Sequence, residues 1–357
     1  MQYRLLGRSG LRVSELCLGT MTFGEDWGWG SNEKASRQIF DRFAEASGNF
    51  VDTADGYTNG TSEKLLGEFV RAERNRFVVA TKYSFNTRAG DPNAGGNHRK
   101  NMVQALEGSL KRLGLEYVDL YIVHAWDELT PIEEVMRGLD DLVRAGKILY
   151  AGVSNLPAWL IASGNVLAEM RGWTPFINIQ IEYSLIERTA ERELLPMSRA
   201  LDIGATAWSP LASGILSGKY TSGKKSEPKR LEKAEFKPLS ERNLNIARAV
   251  QKIADALGRS PAQVALNWVR QRDNVIPIIG ARTIEQLRDN LACVEFTLSA
   301  PEMQMLDEAS RIELGYPHDF LREQRVHEFL HGGTFERIRN HRGRTEVETE
   351  QKPERVA

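Results

Sequence analysis

Four polar side chains, Asp52, Tyr57, Lys82 and His124, each end or just follow one of three successive apolar runs. The runs are Asn49-Phe-Val-Asp-Thr-Ala-Asp-Gly-Tyr57, Arg76-Phe-Val-Val-Ala-Thr-Lys82 and Tyr117-Val-Asp-Leu-Tyr-Ile-Val-His124, with amphipathic stretches between them. A phenol, with a pKa near ~10, is a poor proton donor at neutral pH unless its anion is stabilised. Lys82 is expected to lower the phenol's pKa, Asp52 to keep Lys82 charged and in place, and His124 to orient a substrate oxygen by donating a hydrogen bond. The set would form an acid–base pocket for a carbonyl and alcohol pair. Singly, each residue has a plainer reading: a rim charge for Lys or Asp, a satisfied core histidine, and a loop anchor for the tyrosine of Gly-Tyr-Thr-Asn-Gly. Their coincidence at neighbouring strand ends is what points to chemistry.

Such a coincidence needs a fold that gathers strand ends on one face. Apolar runs read as strands over Glu15 to Gly19, Asn49 to Thr53, Phe77 to Lys82, Val118 to His124, Leu149 to Val153, Phe176 to Ile181, Gly204 to Trp208 and Val275 to Ile279. Helical patterns alternate with them over Glu33 to Gly48, Ser62 to Ala72, Arg99 to Leu113, Pro131 to Ala145, Pro157 to Met170, Ala190 to Leu201, Leu244 to Gln271 and Thr283 to Ala292. Ser31 or Asn32, Ser62, Thr130 and Thr283 supply helix-start chemistry. Eight strand–helix units predict an α/β fold, a closed (β/α)8 barrel, in which all carboxyl ends meet on one face. An open doubly wound sheet should carry Gly-x-Gly-x-x-Gly after its first strand, and none is there.

Residues 3 to 14 read as a hairpin able to close the barrel's bottom. Thr221 to Ser240, rich in Lys, Ser, Glu and Pro, reads as a mobile surface loop. After a helix around Pro301 to Arg311, the charged tail has the composition of a disordered segment over its last ~20 residues. The expected division is a barrel over residues 1–312 and a C-terminal extension over 313–357.

The 357 residues carry 47 Lys plus Arg against 48 Asp plus Glu, which gives no field to gather nucleic acid or a membrane surface. No run approaches the ~18 apolar residues of a membrane span. Cys17 and Cys293 lack metal or redox spacing and read as buried thiols in a reducing compartment. A cytoplasmic protein is expected, and its tail could serve as a contact arm in a homo-oligomer. Of the six histidines only His124 lies on a core strand, so no metal site is expected.

A proton donor needs a hydride source opposite it, and cofactors commonly supply one. Ser154, Asn155 and Gln180 could grip a carboxamide. Trp208 could stack on a flat ring and the turn after it could donate backbone N–H groups, although core packing and a plain Ser-Pro turn are alternatives. Gly280-Ala-Arg282-Thr283 opens the last helix, a suitable phosphate site, and Arg282 there suggests a 2′-phosphate.

Leu18-Gly-Thr-Met, Asp52-Thr-Ala-Asp-Gly-Tyr57, Thr81-Lys82, Val123-His124, Gly152-Val-Ser-Asn155, Trp208-Ser-Pro-Leu211, Ser217-Gly-Lys219-Tyr and Gly280-Ala-Arg-Thr283 run in the order found in aldo-keto reductases, which the chain resembles over residues 1 to about 310. Within that family the pattern is similar to the branch of potassium-channel β subunits and related bacterial reductases. Those β subunits bear an asparagine where this chain has His124, which favours a working enzyme over a nicotinamide-binding regulatory subunit. The resemblance implies a TIM barrel that reduces an aldehyde or ketone with NADPH, with Tyr57 as general acid. It further implies that Thr20 and Met21 line the cofactor near its reacting end. Ser209, Pro210, Leu211, Ser213 and Lys219 would surround the pyrophosphate, and Gly280, Arg282, Gln286 and Asn290 the adenosine end. The loop Asn86 to Asn97 and the tail depart from the family pattern. Trp27, Trp29, Trp126 and Asp127, in the loops after the first and fourth strands, are expected to wall the substrate pocket.

Overall fold

The computed structural model describes residues 1–220 and 239–339. Eight parallel strands close a barrel: β3 (Cys17–Gly19), β4 (Phe50–Asp52), β5 (Val78–Tyr83), β6 (Val118–Val123), β7 (Ile148–Ser154), β8 (Phe176–Glu182), β9 (Gly204–Trp208) and β10 (Val275–Ile279). Closure is made by β10 against β3, Ile278 opposite Cys17 and Ile279 opposite Leu18. All six residues of β5 and all six of β6 are buried. Strands covered on both faces are apolar without a break, which explains why they read as runs rather than alternations.

Helices α1 (Glu33–Glu45), α2 (Thr61–Val70), α3 (Arg99–Leu113), α4 (Ile132–Arg144), α5 (Ala158–Arg171) and α6 (Leu194–Ala200) cover the outside. Where one helix is expected over Leu244 to Gln271 there are two, α7 (Glu241–Leu257) and α8 (Pro261–Arg270). Gly258 ends the first in the left-handed conformation at φ 61°, and the Ser260 side chain caps the second from Gln263 N, with Pro261 in its first turn. That stop–start signal overrides an apolar period that continues on either side. Helices α9 (Ile284–Leu291) and α10 (Ala300–Ala309) follow, the latter opened by a capping box of Ser299 and Glu302.

Under the barrel lies the expected hairpin, β1 (Tyr3–Leu5) paired antiparallel with β2 (Arg12–Ser14). Its Leu6 and Val13 join Cys17, Phe50, Val78, Ala80, Leu120, Ile122 and Ile276 in one apolar cluster, so the hairpin plugs the barrel interior. A larger cluster lies between strands and helices.

The chain divides into two compact units, Met1–Ile312 and the residues from Glu313 onward. The second holds α11 (His318–Leu321) and α12 (Gln324–His331), with the rings of His327 and His331 packed on Phe335. The surface-loop expectation over Thr221 to Ser240 falls almost wholly outside the described residues, as does the expectation made for the last ~20 residues. Among the described residues no helix is long and apolar enough to cross a membrane.

Candidate active site

Side chains alternate across a strand, so a residue two beyond an interior apolar position points into the barrel at its rim. Asp52 follows Phe50, Lys82 follows Val78 and Ala80, and His124 follows Leu120 and Ile122, all five apolar residues being in the interior cluster. The inward stripe of three strands thus ends in a polar layer. Tyr57 reaches the same layer from a short helical turn, Tyr57–Gly60, after β4.

Lys82 is the centre of the set. Its ammonium donates to Asp52 Oδ2 at 2.6 Å, to the Thr53 carbonyl at 2.7 Å and to the Tyr57 hydroxyl at 3.1 Å. All three donor positions of an ammonium are accounted for. Asp52 is fixed from its other side by Gln180, whose amide donates to Oδ1 at 2.9 Å. Burial disfavours the Lys82 charge, yet Asp52 and Tyr57 outweigh it and leave its pKa raised. Lys82 lowers the phenol's pKa through its charge and its hydrogen bond, as expected, but burial raises it by more, and the net shift is upward. Tyr57 is therefore a phenol held protonated, with a cation ready for the anion it would leave.

The His124 ring stands edge-on to Tyr57, centroids 5.9 Å apart. Burial, and secondarily Lys82, lowers its pKa to about 2, so it is a neutral imidazole. Its Nδ1 is buried without a hydrogen-bond partner. The backbone is held by His124 N–H to the Tyr83 carbonyl at 2.8 Å and by Asn155 Nδ2 to the His124 carbonyl at 2.9 Å.

The remaining sequence-derived residues fall around this centre in four groups. On the first, Thr20 is buried with its hydroxyl on the Asp52 carbonyl and on Ser62, so it builds the wall behind Asp52, while half-buried Met21 follows it. On β7 to β9, Ser154 pairs in register with Gln180, and Trp208 lies opposite Glu182. Gln180 uses its nitrogen on Asp52, which leaves its carbonyl oxygen to accept; Asn155, at φ 55°, uses its nitrogen on His124 and Ser154. The Trp208 indole N–H is buried without a partner.

After β9, Ser209, Ala212, Ser213 and Gly214 all adopt left-handed φ, a concentration of backbone strain in one turn. Their N–H groups were expected to face an anion. Those of Ala212, Ser213 and Gly214 instead bond within the turn, to Ser209 O, Ser209 Oγ and Leu211 O, and Lys219 beyond it is exposed. Buried Pro210 and half-buried Leu211 support the turn. After β10, Gln286 accepts from Arg282 N at 2.9 Å and Asn290 donates to the Gly280 carbonyl at 3.0 Å. Both amides thus shape the turn that presents the half-buried Arg282.

The proposed substrate wall is partly redrawn. Trp27 lies edge-on to Tyr57 at 6.5 Å and tilted against Trp29 at 5.6 Å. Trp126 is half-buried and packs against the outer apolar cluster. Asp127 is a loop clamp, accepting from Asn97, Leu129 and Thr130. Sequence reasoning missed Phe85, 52% exposed, whose ring sits 4.4 Å from that of His124. Its position two residues past the end of the strand bearing Lys82 was the available signal. Also missed was Asp55, a buried carboxyl beside the set.

The closed parallel barrel carries a Lys–Asp pair against a phenol at its carboxyl-terminal rim, an arrangement chemically able to move a proton. The aldo/keto reductase family profile matches residues 15–311. Among curated proteins the chain is 35% identical over 333 residues to a norsolorinic acid reductase of Aspergillus flavus, covering 90% of this chain and 84% of that one. It is 35% identical over 334 residues to an aryl-alcohol dehydrogenase [NADP(+)] of Phanerodontia chrysosporium, 87% and 86% of the two chains. It is 37% identical over 321 residues to the uncharacterized oxidoreductase YrpG of Bacillus subtilis, 86% and 95%. The chain belongs to the aldo/keto reductase family, and it is an oxidoreductase.

Proposed function

We propose that this protein reduces an aldehyde or ketone to an alcohol with NADPH, reversibly, and that its substrates are aryl carbonyls. The observation that carries the reading is the Tyr57 hydroxyl 3.1 Å from a buried Lys82 that Asp52 holds charged. The residues present fit a nicotinamide: the Gln180 carbonyl oxygen and the Ser154 hydroxyl suit a carboxamide, and Trp208 offers an aromatic face at the same rim. Arg282 would meet a 2′-phosphate, and Ser209, Ser213 and Lys219 a pyrophosphate. The cofactor, when bound, supplies a hydride.

Tyr57 gives its proton to the carbonyl oxygen as charge develops there, and the phenolate it leaves faces the Lys82 ammonium. Neutral His124 orients that oxygen by its ring N–H. Trp27, packed on Trp29, stands beside Tyr57, and the exposed Phe85 stands beside His124. A flat ring would bury area against both, and the names of the aryl-alcohol dehydrogenase and norsolorinic acid reductase relatives support that class.

Oxidation of NADPH with 4-nitrobenzaldehyde tests the reading in wild type and Tyr57→Phe. Loss of the general acid should lower kcat by about 10²–10⁴ with NADPH binding retained. Tight NADPH binding with no turnover on any aldehyde in the wild type would sink it.

A further inference from the structure

Asp55 is 4% exposed, yet neither of its carboxylate oxygens has a protein hydrogen bond of normal geometry. The Gly56 N–H offers only partial compensation. A buried polar group without partners costs about 1–3 kcal/mol, more if charged, and calls for a reason.

Its surroundings supply one. Five ionisable groups face it: Glu63 on α2, Arg112 on α3, Lys82 on β5, Tyr121 on β6, and Tyr57 in its own turn. Lys82 is engaged with Asp52, Tyr57 and Thr53, and the Tyr121 hydroxyl donates to the Met102 carbonyl. Glu63 is fully buried, accepts from Thr81 Oγ1 at 2.6 Å, and takes the Arg112 guanidinium at 2.6 Å. Two carboxyl groups therefore share one guanidinium, and that one is bonded to Glu63. With Arg112 bonded to Glu63, the Asp55 carboxyl has no hydrogen-bonded counter-charge. Burial first, and Glu63 next, raise the Asp55 pKa to about 7.

Asp55 is also mechanically tied to the acid. Its N–H donates to the Lys82 carbonyl at 3.2 Å, and the Tyr57 N–H bonds the Ala54 carbonyl. Beyond Tyr57 the chain is strained, with Thr58 at φ 46° and Asn59 at φ 55°. The Asp55 backbone and the Tyr57 turn thus belong to one short hydrogen-bonded segment that starts at the Lys82 carbonyl.

We propose that Asp55 is a positioning residue for Tyr57: it works as a neutral carboxylic acid, and its ionisation against Glu63 displaces the Tyr57 hydroxyl from Lys82. The kinetic consequence rests on the reductase reading; the structural one does not.

The test labels tyrosine with 13C at Cζ, assigns the Tyr57 line by its loss in Tyr57→Phe, and follows it from pH 5.5 to 9. In the wild type the line should shift with a midpoint near neutrality, far below the phenol's own titration, and in Asp55→Asn it should stay flat. In parallel, kcat/KM for 4-nitrobenzaldehyde should fall about tenfold per pH unit above that midpoint, and the fall should disappear in Asp55→Asn. A flat wild-type line, or a variant that shifts as the wild type does, overturns the proposal even if no aldehyde is turned over. Should Asp55→Asn fail to fold, Glu63→Gln decides. Removing the like charge should move the midpoint to lower pH, and an unmoved midpoint overturns the proposal.

Discussion

Lys82 is charged inside a barrel because its three donor positions meet a carboxylate, a carbonyl and a phenol, which outweigh the burial that disfavours its charge. The pair is more important for what breaking it exposes than for what it adds. Lys82→Met leaves Asp52 buried beside Gln180 with no counter-charge, and the expected cost is about 3–5 kcal/mol in denaturant unfolding. Adding Asp52→Asn should recover most of that loss. A single variant as stable as the wild type would show that Asp52 finds compensation elsewhere. His124 makes a complementary prediction. Its folded pKa is depressed, so the neutral form is favoured at neutral pH, and that stabilisation is lost as pH falls from about 6.5 toward about 2. Its imidazole carbon resonance should therefore be flat between pH 5 and 8. An ordinary titration near 6.5 would place the ring in water rather than against Tyr57 and Phe85.

At the scale of elements, the strands were legible because both faces of a barrel strand are covered. Val78 to Tyr83 and Val118 to Val123 are buried at every position and read as apolar runs that stop at Lys82 or His124. What escaped had no periodic signal. Phe85 lies past a strand end, Asp55 looks like any turn aspartate, and Glu63 meets Arg112 across 49 residues. The sign of the Tyr57 shift was illegible for another reason: it depends on how far burial exceeds the field of Lys82, and residue order does not encode that balance. The turns after β9 and β10 show the same division. Their residues could be named from the sequence, but not that Ala212, Ser213 and Gly214 would satisfy their own N–H groups. An anion there must then rely on side chains, above all Arg282. A charge-assisted hydrogen bond is worth about 1.5–3 kcal/mol. Arg282→Ala should accordingly raise the KM for NADPH by about 10- to 100-fold and leave that for NADH nearly unchanged. Equal effects on both cofactors would remove Arg282 from the 2′-phosphate.

Over the whole barrel, the two ends do different work. The carboxyl-terminal rim carries the Lys82 set, whereas the opposite end is sealed by the hairpin, with the Arg4 guanidinium on the Arg270 and Val275 carbonyls and a buried Arg270–Glu15 ion pair nearby. The rim tolerates positive φ at Thr58, Asn59, Ser209, Ala212 and Ser213 because the packed interior below it over-determines their positions. The hairpin turn enters that interior at Gly7, where φ is 54° and a Cβ would lie 2.5 Å from the Ile177 carbonyl and 2.7 Å from Gly204 N. Both obstacles are backbone, so neither can rotate away. Gly7→Ala should lower Tm by roughly 3 °C, as about 2 kcal/mol of overpacking and φ strain would in a domain of this size. The kcat per folded molecule should be retained, because Leu6 and Val13 plug the end of the barrel remote from Tyr57. Tyr57→Phe should do the reverse, cutting turnover while Tm holds. Thermal melts and single-temperature kinetics on the two variants test the separation directly. If Gly7→Ala cut kcat as deeply as it cut Tm, the bottom plug would be part of the catalytic geometry, and the strain at the rim would have to be borne by the entire barrel.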